Sequence, residues 1–187
     1  SNTAGTVYDI YAQRINGSGV SQWTSNGLLI QGSSNYELIS SMINDGRNGA
    51  IFSWGDSTSI PATDPNVYVQ KIDKDGNKQW GSGGIALTNS NSSIGAKLIS
   101  DYNFGVIVIY YDQRDTTRHK YYAQRVDKNG NLLWKYNGDL ISHTDMPLDT
   151  YETSSYAVSE NGSGGAFIVF TRENSSTLAI GAFLQNI

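Results

Sequence analysis

A thirteen-residue pattern occurs three times in this chain. Tyr11-Ala-Gln-Arg-Ile-Asn-Gly-Ser-Gly-Val-Ser-Gln-Trp23 matches Tyr68-Val-Gln-Lys-Ile-Asp-Lys-Asp-Gly-Asn-Lys-Gln-Trp80, and both match Tyr122-Ala-Gln-Arg-Val-Asp-Lys-Asn-Gly-Asn-Leu-Leu-Trp134. Gln13, Gln70 and Gln124 are 57 and 54 residues apart, and the three tryptophans keep those spacings. A second motif lies between the copies. It reads Asp45-Gly-Arg-Asn-Gly49, Asp101-Tyr-Asn-Phe-Gly105 and Glu160-Asn-Gly-Ser-Gly-Gly165, each leading into a short apolar run. Such a period means that one supersecondary unit is repeated, each copy burying its apolar face against the next.

The local chemistry of the unit is that of strands. The apolar runs are short, rich in Val, Ile, Tyr and Phe, and bounded by Gly, Asn and Asp. Lys74-Asp-Gly-Asn77 and Lys128-Asn-Gly-Asn131 are hairpin turns, in which Gly and Asn accept positive φ. The runs after Gly105 and Gly165 are apolar throughout, as expected of strands covered on both faces. Strands are predicted at 7–16, 20–30, 36–43, 49–54, 67–73, 78–87, 95–100, 105–111, 120–127, 132–141, 152–159, 165–171 and 177–185. The predicted fold is all-β, a propeller-type array of antiparallel four-stranded blades. The single repeat domain 1–187 divides into units 7–54, 67–111 and 120–171 plus an extra strand at 177–185, about three blades' worth with half-blades at both ends.

Composition narrows the function classes. Lys+Arg 13 against Asp+Glu 17 gives a net charge of −4, which is not the footprint of a nucleic-acid binder. No run approaches the length of a membrane-spanning helix, so no membrane insertion is expected, and no stretch reads as a secretory leader. There are no cysteines, which removes disulfides, thiolate metal sites and cysteine nucleophiles. The chain is rich in Asn, Ser, Thr, Gly and Tyr and poor in Lys. That balance leans towards an extracellular or cell-surface protein.

The repeated elements resemble a family of bacterial secreted β-propeller repeats, whose pattern runs Gly-Gly-Ala, apolar strand, Trp-x-Asp-x-Arg, then Ile-Tyr-Ala-Gln-Arg-Val-Asp-x-x-Gly-x-x-x-Trp. Ile10-Tyr-Ala-Gln-Arg-Ile15 and Tyr122-Ala-Gln-Arg-Val-Asp127 carry the likeness closely. Trp54-Gly-Asp56 and Tyr111-Asp-Gln-Arg114 carry it in part, and Phe170-Thr-Arg-Glu173 departs from it. The resemblance implies the propeller fold and secretion, and it is nearly silent on ligand.

Fold alone does not give function. Trp23, Trp80 and Trp134 are the candidate binding residues, as sugar-stacking platforms at inter-blade positions. The alternative is packing between sheets, which is the simpler reading of an aromatic in every copy. Asp73, Asp75 and Asn77 present alternate oxygens like the first half of a calcium loop, echoed by Asp127, Asn129 and Asn131. Lys78 stands where such a loop wants glycine and the closing Glu is missing, so a tight turn accounts for them and no cofactor is expected. Asp112 and Asp115 flank Arg114, and Asp56 aligns with Asp112. The expectation is that Asp56 and Asp112 pin Lys71 and Arg125 rather than catalyse. His119 and His143 are lone residues in predicted turns.

Three blades do not easily surround an axis, and residues 7–16 and 177–187 compete for one place in a blade. The first expectation is therefore a non-enzymatic structural module that self-assembles by blade or strand complementation into a homo-oligomer or polymer. The alternative is a lectin-like, carbohydrate-binding propeller with glycans as partners. A glycan-active hydrolase or lyase stands third, to be recognised by a carboxylate pair of raised pKa.

Overall fold

The computed structural model describes residues 8–58, 65–89, 93–112, 114, 120–141, 156–174 and 179–186. Among them the fold is all-β and the sheets are antiparallel. A two-stranded sheet pairs β1 (Ile10–Ala12) with β2 (Leu28–Gln31). A four-stranded sheet follows in the order β3 (Tyr36–Asn44), β4 (Ala50–Ser57), β5 (Asn66–Ile72) and β6 (Ile85–Ala86). The next repeats that order with β7 (Ser93–Ser100), β8 (Val106–Asp112), β9 (Lys120–Val126) and β10 (Asp139–Leu140). The last holds β11 (Tyr156–Glu160), β12 (Ala166–Asn174) and β13 (Ala179–Asn186). Every strand pairs with its neighbour in sequence, so each sheet is a simple meander. Across the sheets, the leading strands β3, β7 and β11 approach one another in turn.

The central strands alternate between two cores, as a period of two requires. In β4, Phe52 and Trp54 pack with Ile10 and Ile30 of the two-stranded sheet, whereas Ile51 joins Leu98, Val106 and Val108 of the next sheet. In β8, Val106, Val108 and Tyr110 face back to that core, and Ile107 and Ile109 face forward to Tyr156, Ile168 and Phe170. All five residues from Val106 to Tyr110 are fully buried, so the strand is covered on both faces.

Three predicted strands shrink. In place of 20–30, 78–87 and 132–141 the outer edge of each sheet holds β2, the two-residue β6 and the two-residue β10, with isolated bridges Ile15↔Ser21, Ile72↔Lys78 and Val126↔Leu132. The glycines are the reason. Gly81 and Gly84 have φ of 77° and 76°, and Gly27 and Gly138 have 86° and 79°, outside the range of an extended strand. The expected strand 7–16 is likewise confined to β1, and residues 152–155 of another lie outside the described residues. The extra strand is β13. It pairs with β12 over eight residues, from Phe167↔Asn186 to Asn174↔Ala179, so within this chain it is already engaged.

Candidate functional site

The repeated Gln and Trp form one device. The Gln13 Oε1 accepts hydrogen bonds from the backbone N–H of Arg14 and of Trp23, each at 3.0 Å, and its Nε2 donates to the Thr24 carbonyl at 2.7 Å. Gln70 does the same with Lys71 (2.9 Å), Trp80 (3.0 Å) and Gly81 (2.7 Å). Gln124 does it with Arg125 (2.9 Å), Trp134 (3.0 Å) and Lys135 (2.7 Å). The side chain thus replaces the ladder bonds that the shortened outer strand no longer makes. The sequence showed this glutamine in every copy, but its role needed the missing strand to be seen.

The tryptophans point across sheets. The Trp23 indole N–H donates to the Lys74 carbonyl and that of Trp80 to the Lys128 carbonyl, each at 3.3 Å. A Cβ on Gly76 would lie 3.4 Å from the Trp23 ring, and one on Gly130 2.9 Å from the Trp80 ring. Each ring therefore rests on the glycine of the following sheet's turn. Trp80 is 5% exposed, whereas Trp23 and Trp134 are half-buried, Trp134 against the third sheet's forward core.

The turns on which they rest are closed from within. The Asp73 Oδ1 accepts from the N–H of Asp75 (2.9 Å) and Asn77 (2.8 Å), and its Oδ2 from the side chains of Asn77 (3.0 Å) and Gln79 (3.1 Å). Asp127 repeats this with Asn129 and Asn131. Asn16, Asp45, Asp101 and Asn161 close their loops in the same way, through N–H groups two and four residues on. Asn161, not Glu160, is thus the third copy of the Asp45 position. Burial works to raise the Asp73 and Asp127 carboxyls, but the donated hydrogen bonds outweigh it and hold both below their ordinary value. Of the residues considered for calcium, Asp73 has both oxygens engaged by N–H donors and Asp75 takes the Lys74 ammonium.

The ion pairs are not those expected. Lys71 pairs with Asp45 at 3.4 Å and Arg125 with Asp101 at 3.1 Å. Asp56 instead accepts from the Asn35 side chain at 2.7 Å, and Asp112 pairs with Arg114 at 2.6 Å. Register explains the correction. Lys71 lies opposite Ile51, beside the loop that carries Asp45, whereas Asp56 lies opposite Asn66 at the other end of the sheet. Asp115, Arg118, His119 and His143 lie outside the described residues.

A cleft of about 280 Å³ opens between the two-stranded sheet and the first four-stranded one. Gln13, Arg14 and Trp23 line one side, and Met42, Asn44, Asn48, Ala50 and Phe52 the other. The corresponding gap one sheet further on is filled. There Phe104 stands at the place of Asn48, Val106 at that of Ala50 and Leu98 at that of Met42. Phe104 stacks under the Arg47 guanidinium at 3.9 Å, and its carbonyl takes the Lys71 ammonium at 2.8 Å. Leu98 is 5% exposed where Met42 is 67% exposed. Asn48 and Ala50 are smaller than Phe104 and Val106, and the second gap is packed further by Ile43 and Ile51 of the preceding four-stranded sheet.

A carboxylate pair lies at the far end of the same sheet. Glu37 and Asp56 are cross-strand partners. Glu37 is 3% exposed; one oxygen takes the Ser33 hydroxyl at 2.5 Å and the other, Oε2, has no hydrogen-bond partner among the described residues. Burial raises this carboxyl above its ordinary value. The Ser33 bond pulls it back, and the charges of Asp56 and Asp9 push it further up. Nothing in the repeat pattern marked Glu37, because Ser93 occupies its place in the next sheet.

No family model matches the sequence, and no curated protein matches it. The chain is similar to the crystal structure of an endo-arabinase from Bacteroides thetaiotaomicron VPI-5482, with a TM-score of 0.43 and 14% identity over 92% of this chain. It spans 63% of that structure's length. The expectation of a non-enzymatic structural module that self-assembles by strand complementation is corrected, because the strand it would donate, β13, is taken up within the chain.

Proposed function

We propose that this chain is a carbohydrate-binding module of an extracellular β-propeller, built from repeats of the bacterial secreted kind. The blade reading is supported by the two four-stranded meanders and by the sequential approach of β3, β7 and β11. The observation that carries the function is the cleft beside Trp23. It joins a half-buried indole to the amides of Gln13, Asn44 and Asn48 and to a guanidinium. A sugar offers an apolar ring face and a rim of hydroxyls. An aromatic wall with a few fixed polar groups is the complement of that shape.

The test uses the molecule's own filled gap. Asn48 has a φ of 65° and Phe104, its counterpart, has 63°, so phenylalanine is compatible with this backbone. Asn48→Phe is expected to close the cleft, leave the melting temperature in place and abolish retention in gels containing polysaccharide. Failure of the wild-type chain to be retained by any of a broad panel of glycans would sink the reading.

One observation favours a second reading, a glycan-cleaving enzyme. Glu37 is a buried carboxyl of raised pKa beside a second carboxylate, the pairing from which glycosidic general acids are made. Release of reducing ends from a polysaccharide, lost in Glu37→Gln, would establish it. A chain that binds glycan and leaves it intact would refute it.

A further inference from the structure

The chain holds six Asn-Gly steps, at Asn16, Asn26, Asn48, Asn129, Asn137 and Asn161. Such a step carries its own chemistry. The glycine backbone nitrogen, unhindered by a Cβ, can attack the asparagine side-chain carbonyl and close a cyclic imide. The structure separates the six. In four of them the glycine N–H is already engaged. Gly27 donates to the Thr24 carbonyl at 2.9 Å, Gly49 to Asp45 Oδ1 at 2.7 Å, Gly130 to the Asp127 carbonyl at 3.0 Å and Gly138 to the Lys135 carbonyl at 2.9 Å. The N–H groups of Gly17 and Gly162 make no hydrogen bond among the described residues. In these two steps the asparagine carbonyl is also polarised. Asn16 Oδ1 accepts from the N–H of Ser18 at 3.0 Å and of Val20 at 2.9 Å. Asn161 Oδ1 accepts from the N–H of Ser163, the Ser163 hydroxyl and the N–H of Gly165, each at 2.9 Å.

We infer that Asn16 and Asn161 are sites of self-deamidation, at which the loop turns its own asparagine into a carboxylate. The Gly17 N–H gives its proton to solvent base, and the nitrogen bonds to Asn16 Cγ. The Cγ oxygen takes the negative charge under the N–H groups of Ser18 and Val20, which stand as the donors of an oxyanion hole do. Collapse breaks the bond to the amide nitrogen, which leaves as ammonia with a proton from water. Water then opens the imide and the glycine nitrogen regains its proton. Addition at Cγ gives aspartate; addition at the backbone carbonyl gives its isoaspartyl isomer. The sum is one asparagine and one water in, one acid and one ammonia out. Asn161 and Gly162 follow the same course. Aspartate at 16 has a place prepared for it. Asp73 and Asp127 hold that position in the next two copies and accept the same pair of N–H bonds. Both carboxyls lie below their ordinary pKa, burial being outweighed by those bonds. Lysine follows Asp73 and Asp127, whereas glycine follows Asn16. Asp45 and Asp101 likewise hold the position of Asn161, with the same pair of bonds.

Incubation of the folded full chain in heavy-oxygen water at mildly alkaline pH, followed by peptide mass mapping, tests the inference. Asn16 and Asn161 are each expected to exchange the amide nitrogen for one heavy oxygen. They should outrun the other four steps by about tenfold or more, since preorganised donors at a developing oxyanion supply at least that much. In urea that unfolds the chain the six rates are expected to draw together, because the donors are lost with the loop. Gly17→Ala is a variant expected to keep its fold, since a Cβ there meets nothing within 4 Å. It should slow conversion at 16 and leave 161 unchanged. A folded chain in which Asn16 or Asn161 stays an amide, or in which one of the other four steps leads, would overturn the inference. So would the same ranking in urea as in the folded chain, or undiminished conversion at 16 in Gly17→Ala.

Discussion

The glutamine clamps allow one side chain to be tested in two environments. Gln13 and Gln70 make the same three hydrogen bonds with nearly the same lengths. They differ in burial. Gln70 is 1% exposed and its partners Lys71 N and Trp80 N are buried, whereas Gln13 and its partners are reached by water. Removing an acceptor from a buried N–H costs about 1–3 kcal/mol, because nothing replaces it. Gln70→Ala strands two such donors and also leaves a small void. A loss of about 3–5 kcal/mol follows. At Gln13 water takes over, and about 1 kcal/mol is expected. In urea, with a slope of about 2 kcal/mol per molar, the two midpoints should fall by roughly 2 M and 0.5 M. Tryptophan fluorescence reads the transition. Gln70→Leu separates the causes, since it keeps the volume and still strands the donors, and it should lose nearly as much as Gln70→Ala. Equal losses at the two sites, or a Gln70→Leu chain as stable as the parent, would refute the clamp as the source of stability.

Four further outcomes follow from the same geometry. Gly105→Ala should prevent folding or cost more than about 3 kcal/mol, because its Cβ would collide with the Val126 carbonyl and lie 2.7 Å from Asp101 Oδ2; a normal melt would contradict this. Tyr102 sits at a φ of 57°, so Tyr102→Gly should relieve about 1 kcal/mol of backbone strain, offset by loss of the bond to Glu160, and the melting temperature should not fall. Asp73 and Asp127 are depressed in the folded chain, so their contribution is complete above the ordinary carboxyl range. It fades as pH drops through their folded values, and Asp73→Asn should flatten that acid limb of the stability curve. Glu37 has the opposite sign. Its folded value is raised, so the unfolded chain releases this proton first and stability declines as pH climbs from the ordinary range through the folded value. Glu37→Gln should therefore match the parent in acid and exceed it at neutral pH, as measured by urea midpoints.

Periodicity made the sheets legible and hid what fills their edges. The apolar runs after Gly49, Gly105 and Gly165 became β4, β8 and β12 because their alternation and length leave no other element. The outer strands were overestimated because the glycines at 27, 81, 84 and 138 break an extended backbone by φ, a property that residue hydrophobicity does not carry. The ion pairs were misassigned for a related reason. Asp45 and Asp56 are both plausible partners for Lys71 by composition, and only strand register puts Asp45 beside it and Asp56 at the opposite end.

The repeats themselves point to where function belongs. Positions that do the same work in every copy, such as Gln13, Gln70 and Gln124 or the loop-closing Asn16, Asp73 and Asp127, are accounted for by the fold. A repeat constrained only by packing would keep its gap-filling residues too. The first four-stranded sheet departs at three of them together, with Met42, Asn48 and Ala50 in place of Leu98, Phe104 and Val106. These departures line the cleft beside Trp23. A random loss of packing would scatter and would leave stability to select against it. Departures that meet in one hollow and wall it with an indole and amides are what the proposed carbohydrate-binding reading requires of a repeat that otherwise serves to pack.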